Sequence, residues 1–212
     1  MHHFGYGTAN KKVWKGESEG ETCGENHASL YTERVETRKY DSFTITYSLI
    51  KKGETMAKQQ KTNAMRILEQ KKLPHTVNYY ECGEFTDAVQ IAEMLHQPIE
   101  RTFKTLMCVG KSGEHYAFVM QGNAEMDLKK AAAAAGEKSV QLLPVKEIQA
   151  VTGYIRGGCT AIGMKKDYPV YVDETAQLYD EIIVSGGRLG TQIFLAPDTL
   201  IAATNGKFAE LQ

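Results

Sequence analysis

The sequence is short of several things. Of its 212 residues one is tryptophan, five are proline and four are cysteine, and 25 Lys plus Arg almost cancel 26 Asp plus Glu, for a formal charge of −1. Such a balance excludes a polycation that holds nucleic acid by charge density alone, so any nucleic-acid partner must be met at a local site. No apolar run approaches the roughly 20 residues a bilayer requires, and mean hydropathy is −0.38, which excludes a transmembrane helix. The first twenty residues lack an apolar signal core, so nothing directs export and the expected location is cytoplasmic. Cys23, Cys82, Cys108 and Cys159 are scattered, with no CxxC pair and no Cys/His cluster at ligand spacing. They read as reduced thiols, mostly structural, with neither a metal site nor a disulfide framework expected.

What is there is a soluble composition, 42% hydrophobic, large enough to bury a core in one domain and too small for two of ordinary size. Composition changes near Met56. Pro74, Pro98, Pro144, Pro169 and Pro197 all lie beyond it, as do the clean helical and strand patterns. Residues 1–55 mix Gly, Glu, Thr, Lys and Tyr with few aliphatics, and Trp14 sits among Lys and Gly. That stretch offers too little apolar surface to offset its ordering entropy and is expected to be largely disordered, apart from a short strand over 42–50. A second reading is genetic: Lys51-Lys52-Gly53-Glu54-Thr55-Met56 back-translates to a sequence that can contain AAGGAG just ahead of ATG. Residues 1–55 are then either a polar extension or upstream sequence read in frame, with 56–212 as the folded domain.

Beyond Met56 helices and strands interleave. Thr62 caps a helix running to Leu73, where Pro74 stops it, and 75–80 alternates like a strand. Asp87 with Gln90 forms a capping box for a helix over 88–96. Apolar runs at 105–109 and 115–120 flank Gly110-Lys-Ser-Gly113 and read as a hairpin. Asp127 caps a helix over 128–135, closed by Gly136 where a left-handed residue is wanted. A strand at 140–143, a helix over 145–151, strands at 169–172, 181–184 and 192–195, and a last helix capped by Asp198 complete the pattern. Without a regular βα repeat, it predicts a mixed α/β (α+β) fold with a largely antiparallel, barrel-like sheet surrounded by helices.

Chemistry could sit at three places. Thr152-Gly-Tyr-Ile-Arg-Gly-Gly-Cys-Thr-Ala-Ile-Gly163 can bring backbone amides close to a ligand, or can be a tight crossover between strands. Its spacing to Lys165 is wrong for a P-loop. Ser185-Gly186-Gly187 follows a strand and reads as a turn or as a second binding loop. Lys104, at the entrance of a buried-looking strand, either snorkels to the rim or aims its charge at a ligand. No GxSxG elbow is present, and His75, His96 and His115 read as structural or surface residues. An enzyme with these residues relies on positioning and backbone dipoles.

From about Lys61 to Phe208 the chain resembles the YbaK/EbsC family of bacterial aminoacyl-tRNA deacylases, relatives of the inserted editing domain of prolyl-tRNA synthetase. The likeness rests on Tyr80-Glu81, Phe103-Lys104-Thr105-Leu106, Asp127-Leu128-Lys129-Lys130, Thr152-Gly153-Tyr154 with Gly157-Gly158 and Gly163, and Val184-Ser185-Gly186-Gly187 with Gly190.

The resemblance implies trans-editing: hydrolysis of mischarged tRNA, most typically Cys-tRNA(Pro). It places the essential lysine on Lys104, the ester-facing glycines on Gly157 and Gly158, and substrate-binding positions on Tyr80, Phe85, Thr105, Thr160, Ser185 and Gly186. It implies no cofactor and no metal, the acceptor end of mischarged tRNA as partner, prolyl-tRNA synthetase as a candidate second partner, and no membrane. Attack by the substrate's own thiol on its carbonyl explains the missing protein nucleophile. Two departures stand out: Thr160-Ala161 replaces the Ser-Pro of the usual GGxSPxG loop, and Gln192 stands where some members carry aspartate. Both bear on amino-acid selectivity. The alternatives are a deacylase of the same fold acting on Ala- or Ser-tRNA, and a non-catalytic tRNA-binding regulatory module. Lys129, Lys130, Lys165, Lys166 and Arg156 are either a phosphate-contacting rim or a solvated face.

Overall fold

The protein is described from a computed structural model, which covers residues 35–40, 43–48, 60–81 and 87–212. The chain falls into two units, one up to Thr55 and one from Met56. In the first, β1 (Val35–Tyr40) and β2 (Phe43–Ser48) pair antiparallel, with Val35 opposite Ser48 and Tyr40 opposite Phe43. The strand expected over 42–50 is therefore present, and an unexpected one precedes it. The rest of the expectation for 1–55 lies outside the described residues.

The second unit opens with α1 (Asn63–Gln70), capped by Thr62, whose hydroxyl accepts the Met65 N–H. It ends earlier than Leu73 because Lys72 turns left-handed at φ 54°. β3 (Thr76–Tyr79) follows, then α2 (Ala88–Met94) behind the expected Asp87/Gln90 capping box. A 3-10 turn at Ile99–Arg101 feeds β4 (Thr102–Gly110), which hairpins into β5 (His115–Gln121). Next come α3 (Leu128–Ala135), capped by Asp127 and closed by Gly136 at φ 70°, then β6 (Val140–Leu142) and α4 (Val145–Thr152). β7 (Val170–Asp173), β8 (Ile182–Ser185) and β9 (Thr191–Leu195) precede α5 (Pro197–Thr204) and a short β10 (Lys207–Ala209). Asp198 does not cap α5: Ala196 takes that position and Pro197, its φ already helical, starts the first turn.

The sheet runs β10-β7-β5-β4-β8-β9-β3, with β6 paired to β4 off that path. The fold is the expected mixed α/β class. Its sheet is mixed as well: β10–β7, β5–β7 and β4–β8 are parallel, and β4–β5, β4–β6, β8–β9 and β3–β9 antiparallel. The main core lies between the sheet and α1, α4 and α5, around Leu68, Val119, Ile162, Val172, Ile182, Ile193, Leu195 and Leu200. A second cluster, Phe118, Tyr171, Ala131, Ala132 and Leu211, seats α3. Among the described residues no helix is long and apolar enough to cross a membrane.

Candidate functional site

The parallel pairing of β4 with β8 places Phe103 opposite Val184, so the Lys104 end of one strand and the Ser185 end of the other lie side by side. A cavity of about 560 Å3 opens there. β4 supplies Thr102 to Met107 along one wall, and β8 and β9 supply Ile183 to Ser185, Thr191 and Gln192 along the other. α2 and the β6–α4 junction form the lips, and Tyr80, Arg156, Gly157 and Cys159 close the remaining side.

Lys104 is half-buried and does not snorkel free. Its Nζ donates to the carbonyls of Gly122 at 2.9 Å and Ala124 at 2.8 Å, both on the segment leaving β5. An ammonium has three donors, so this anchoring fixes the group and leaves one for a ligand. Burial lowers its pKa below the ordinary lysine value, and the carboxylates of Glu125 and Asp87 act in the opposite direction.

The glycine segment 153–163 belongs to the connection from α4 to β7, not to a crossover between strands. Gly157 lines the cavity in the left-handed region, at φ 81°, and its N–H has no partner among the described residues. Gly158 does something different. Its N–H closes a turn on the Ile155 carbonyl at 3.0 Å, and a Cβ there would lie 3.1 Å from Arg188 Cα and 3.2 Å from Leu189 N. The missing side chain lets the two glycine loops touch backbone to backbone. Gly186 is also set back from the cavity, with its N–H on the Thr191 carbonyl at 2.9 Å and its own carbonyl accepting the Thr62 hydroxyl at 2.6 Å. Thr160 is 1% exposed and faces the loop interior, where its hydroxyl accepts the Ile162 N–H at 3.5 Å.

Of the residues expected at a substrate, the fold thus gathers Tyr80, Lys104, Thr105, Gly157 and Ser185 around one cavity. Gly158, Thr160 and Gly186 shape the loops behind it, and Phe85 lies outside the described residues. The basic residues read as a rim or a solvated face divide similarly: Arg156 lines the cavity, Lys130 pairs with Glu210 at 2.6 Å, and Lys165 reaches the Ala150 carbonyl at 3.2 Å.

Several supporting contacts were not legible in the sequence. Tyr154 donates its hydroxyl to the carbonyls of Ile162 at 2.7 Å and Gly163 at 3.1 Å, bracing the glycine segment, and burial pushes its pKa up to about 12. Asn63 donates to the Gly163 carbonyl at 2.8 Å. Gln192, which lines the cavity, exchanges two hydrogen bonds with Gln97. Among the described residues Cys159 is the thiol that lines the cavity, and burial pushes its pKa up to about 11, away from the thiolate at neutral pH.

These features define a class: a mixed α/β domain in which a carbonyl-anchored ammonium and a glycine loop line the same cavity. Residues 83–203 match the family model described as aminoacyl-tRNA editing domain. A relative from Enterococcus faecalis (strain ATCC 700802 / V583), named "Putative Cys-tRNA(Pro)/Cys-tRNA(Cys) deacylase EbsC", is 49% identical over 154 residues, spanning 72% of this chain and 94% of that one. A crystal structure described as "a putative trans-editing enzyme for prolyl tRNA synthetase" is similar with a TM-score of 0.63 and 26% identity, over 72% of this chain and 98% of that one. A hypothetical protein of known structure, 21% identical, reaches a TM-score of 0.66 over 71% of this chain and 99% of that one, a likeness of fold alone. The chain belongs to the aminoacyl-tRNA editing domain family. Editing of aminoacyl-tRNA is the activity that membership assigns.

Proposed function

We propose that the protein is a trans-editing deacylase that clears mischarged tRNA, with Cys-tRNA(Pro) as substrate and the substrate's own thiol as nucleophile. The observation that carries this reading is the tethered Lys104 ammonium sharing a cavity with the Gly157 loop, where Cys159, the thiol among the cavity's described residues, has its pKa pushed up to about 11 by burial. The name of the Enterococcus faecalis relative supports the substrate.

In this mechanism the aminoacyl ester enters between β4 and the α4–β7 loop. The Gly157 N–H stabilises the oxyanion that develops on the carbonyl, an effect of about 3 kcal/mol for one such donor. The free donor of Lys104 holds the terminal nucleotide or the ester oxygen. The substrate sulfur, with a few per cent thiolate at neutral pH, forms a bond to its own carbonyl carbon. The ester C–O bond breaks, the ribose oxygen takes a proton, and a cyclic thiolactone departs to be hydrolysed by water. Tyr80 and Thr105 wall the aminoacyl group, with Ser185 opposite, and Phe85 is assigned to the same pocket by family resemblance.

Two measurements test the reading. Lys104→Ala is expected to reduce kcat/KM for Cys-tRNA(Pro) about 100-fold or more, the range for a charge acting on a transition state, while circular dichroism stays that of the parent. Near-parental turnover by that variant removes the role. Comparing Cys-tRNA(Pro) with Ser-tRNA(Pro) isolates the thiol: equal rates would favour an activated water and, with it, an Ala- or Ser-clearing deacylase.

A further inference from the structure

Gln97 and Gln192 are 7% and 5% exposed and bond each other reciprocally, Gln97 Nε2 to Gln192 Oε1 at 3.0 Å and Gln192 Nε2 to Gln97 Oε1 at 2.9 Å. The pair bridges two separate parts of the chain, the turn leading into β4 and the strand β9, and Gln192 lines the cavity. Two apolar side chains of similar shape would close the same gap without desolvating any polar atom. Each carboxamide has two N–H donors and two acceptor lone pairs, and the reciprocal pair consumes only one of each. Gln192 therefore presents unused hydrogen-bonding capacity at a cavity wall, in an orientation that Gln97 fixes.

The neighbours narrow what that capacity serves. Thr102 and Thr191 are buried on the same walls but are engaged, Thr102 donating to the Pro98 carbonyl at 3.4 Å and Thr191 accepting from Arg188 Nε at 3.4 Å. Ser185 stands directly opposite Gln192 across β8 and β9 and lines the cavity beside it. Its hydroxyl oxygen accepts the Gly187 N–H at 3.3 Å and retains a second lone pair. Ser185 and Gln192, on paired strand positions, each keep an oxygen lone pair, which suits a group rich in N–H donors. A thiol side chain, a weak hydrogen-bonding group, is better served by the apolar wall of Phe103, Ile183 and Val184.

We propose that Gln192, oriented by Gln97, accepts the α-amino group of the aminoacyl ester, with Ser185 as the second acceptor. This rests on the deacylase reading and adds the element that distinguishes an amino acid from other acyl groups. Gln192 touches the substrate and Gln97 is a positioning residue.

The test uses the full chain and two esters on the same tRNA(Pro): cysteinyl, and its counterpart with hydrogen in place of the amino group, which offers no donor there. The parent is expected to prefer the amino ester by about 10-fold or more in kcat/KM, the range for a hydrogen bond to a charged group. Gln192→Leu and Gln97→Leu should lose that preference through a higher KM for the amino ester, with circular dichroism and urea unfolding showing that both variants fold. Gln192→Glu, which keeps an acceptor in place, should retain the preference. An unchanged preference in a folded Gln192→Leu overturns the inference while leaving the deacylase reading intact. Cleavage of neither ester by the parent removes both.

Discussion

An ammonium drawn partly out of water is easier to deprotonate, and at Lys104 desolvation outweighs the nearby Glu125 and Asp87. The sign of the pH dependence follows. Substrate-thiol attack accelerates as the thiol ionises, whereas Lys104 must stay charged to hold its ligand, so kcat/KM should rise and then fall with pH. The falling limb is expected below the ordinary lysine range. Glu125→Gln removes a charge that favours the ammonium and should move that limb to still lower pH, as read from kcat/KM profiles corrected for uncatalysed ester hydrolysis. A limb that stays in place would separate it from Lys104. At this same scale the sequence was legible where chemistry is written into residue type. Lys104 between Phe103 and Thr105 invited attention, whereas Gln97 and Gln192, ninety-five positions apart, gave no sign of being partners.

A single helix start holds both glycine loops. Thr62 caps α1 through the Met65 N–H and donates its hydroxyl to the Gly186 carbonyl, while Asn63, one residue on, donates to the Gly163 carbonyl. Thr62→Ala should lower stability by about 1–2 kcal/mol, the usual worth of a lost cap, measured by urea unfolding. It should also lower deacylation at temperatures where the variant is fully folded, because the Ser185–Gly187 loop loses its anchor. Thr62→Ser, retaining the hydroxyl, should spare both. Caps, turns and periodicity made most elements readable in advance: the Asp87/Gln90 box, the hairpin of β4 and β5, and Gly136 closing α3 all rest on contacts a few residues long. The exceptions are informative. The helix expected to reach Leu73 stopped at Gln70, and Pro197 displaced Asp198 as the start of α5.

Across the whole domain, one buried carboxylate ties the tail to the sheet. Asp173, at the end of β7, is fully buried and accepts the backbone N–H groups of Thr175 at 3.1 Å and Leu211 at 3.0 Å and the Gln212 side chain at 3.0 Å. Leu211 in turn fills the α3 cluster, and its carbonyl accepts the Asp127 N–H at 2.8 Å. Asp173→Ala strands the buried Leu211 N–H and two part-buried donors, for which a loss of about 2–4 kcal/mol is expected, visible as a lower urea midpoint with an unchanged slope. Since Asp173 does not line the cavity, the folded fraction should deacylate at the parental rate.

The sequence by itself determined the class of fold, the approximate place of nearly every helix and strand, and the residue types at the site, because capping, turn chemistry and side-chain periodicity act over a few positions. Tertiary structure alone decided which glycine lines the cavity and which packs against another loop. It also decided where Lys104 finds its carbonyls and that two distant glutamines meet. Each of these depends on strands brought together by parallel and antiparallel pairing across the chain, and a contact of that kind leaves no local pattern in either of the segments that make it.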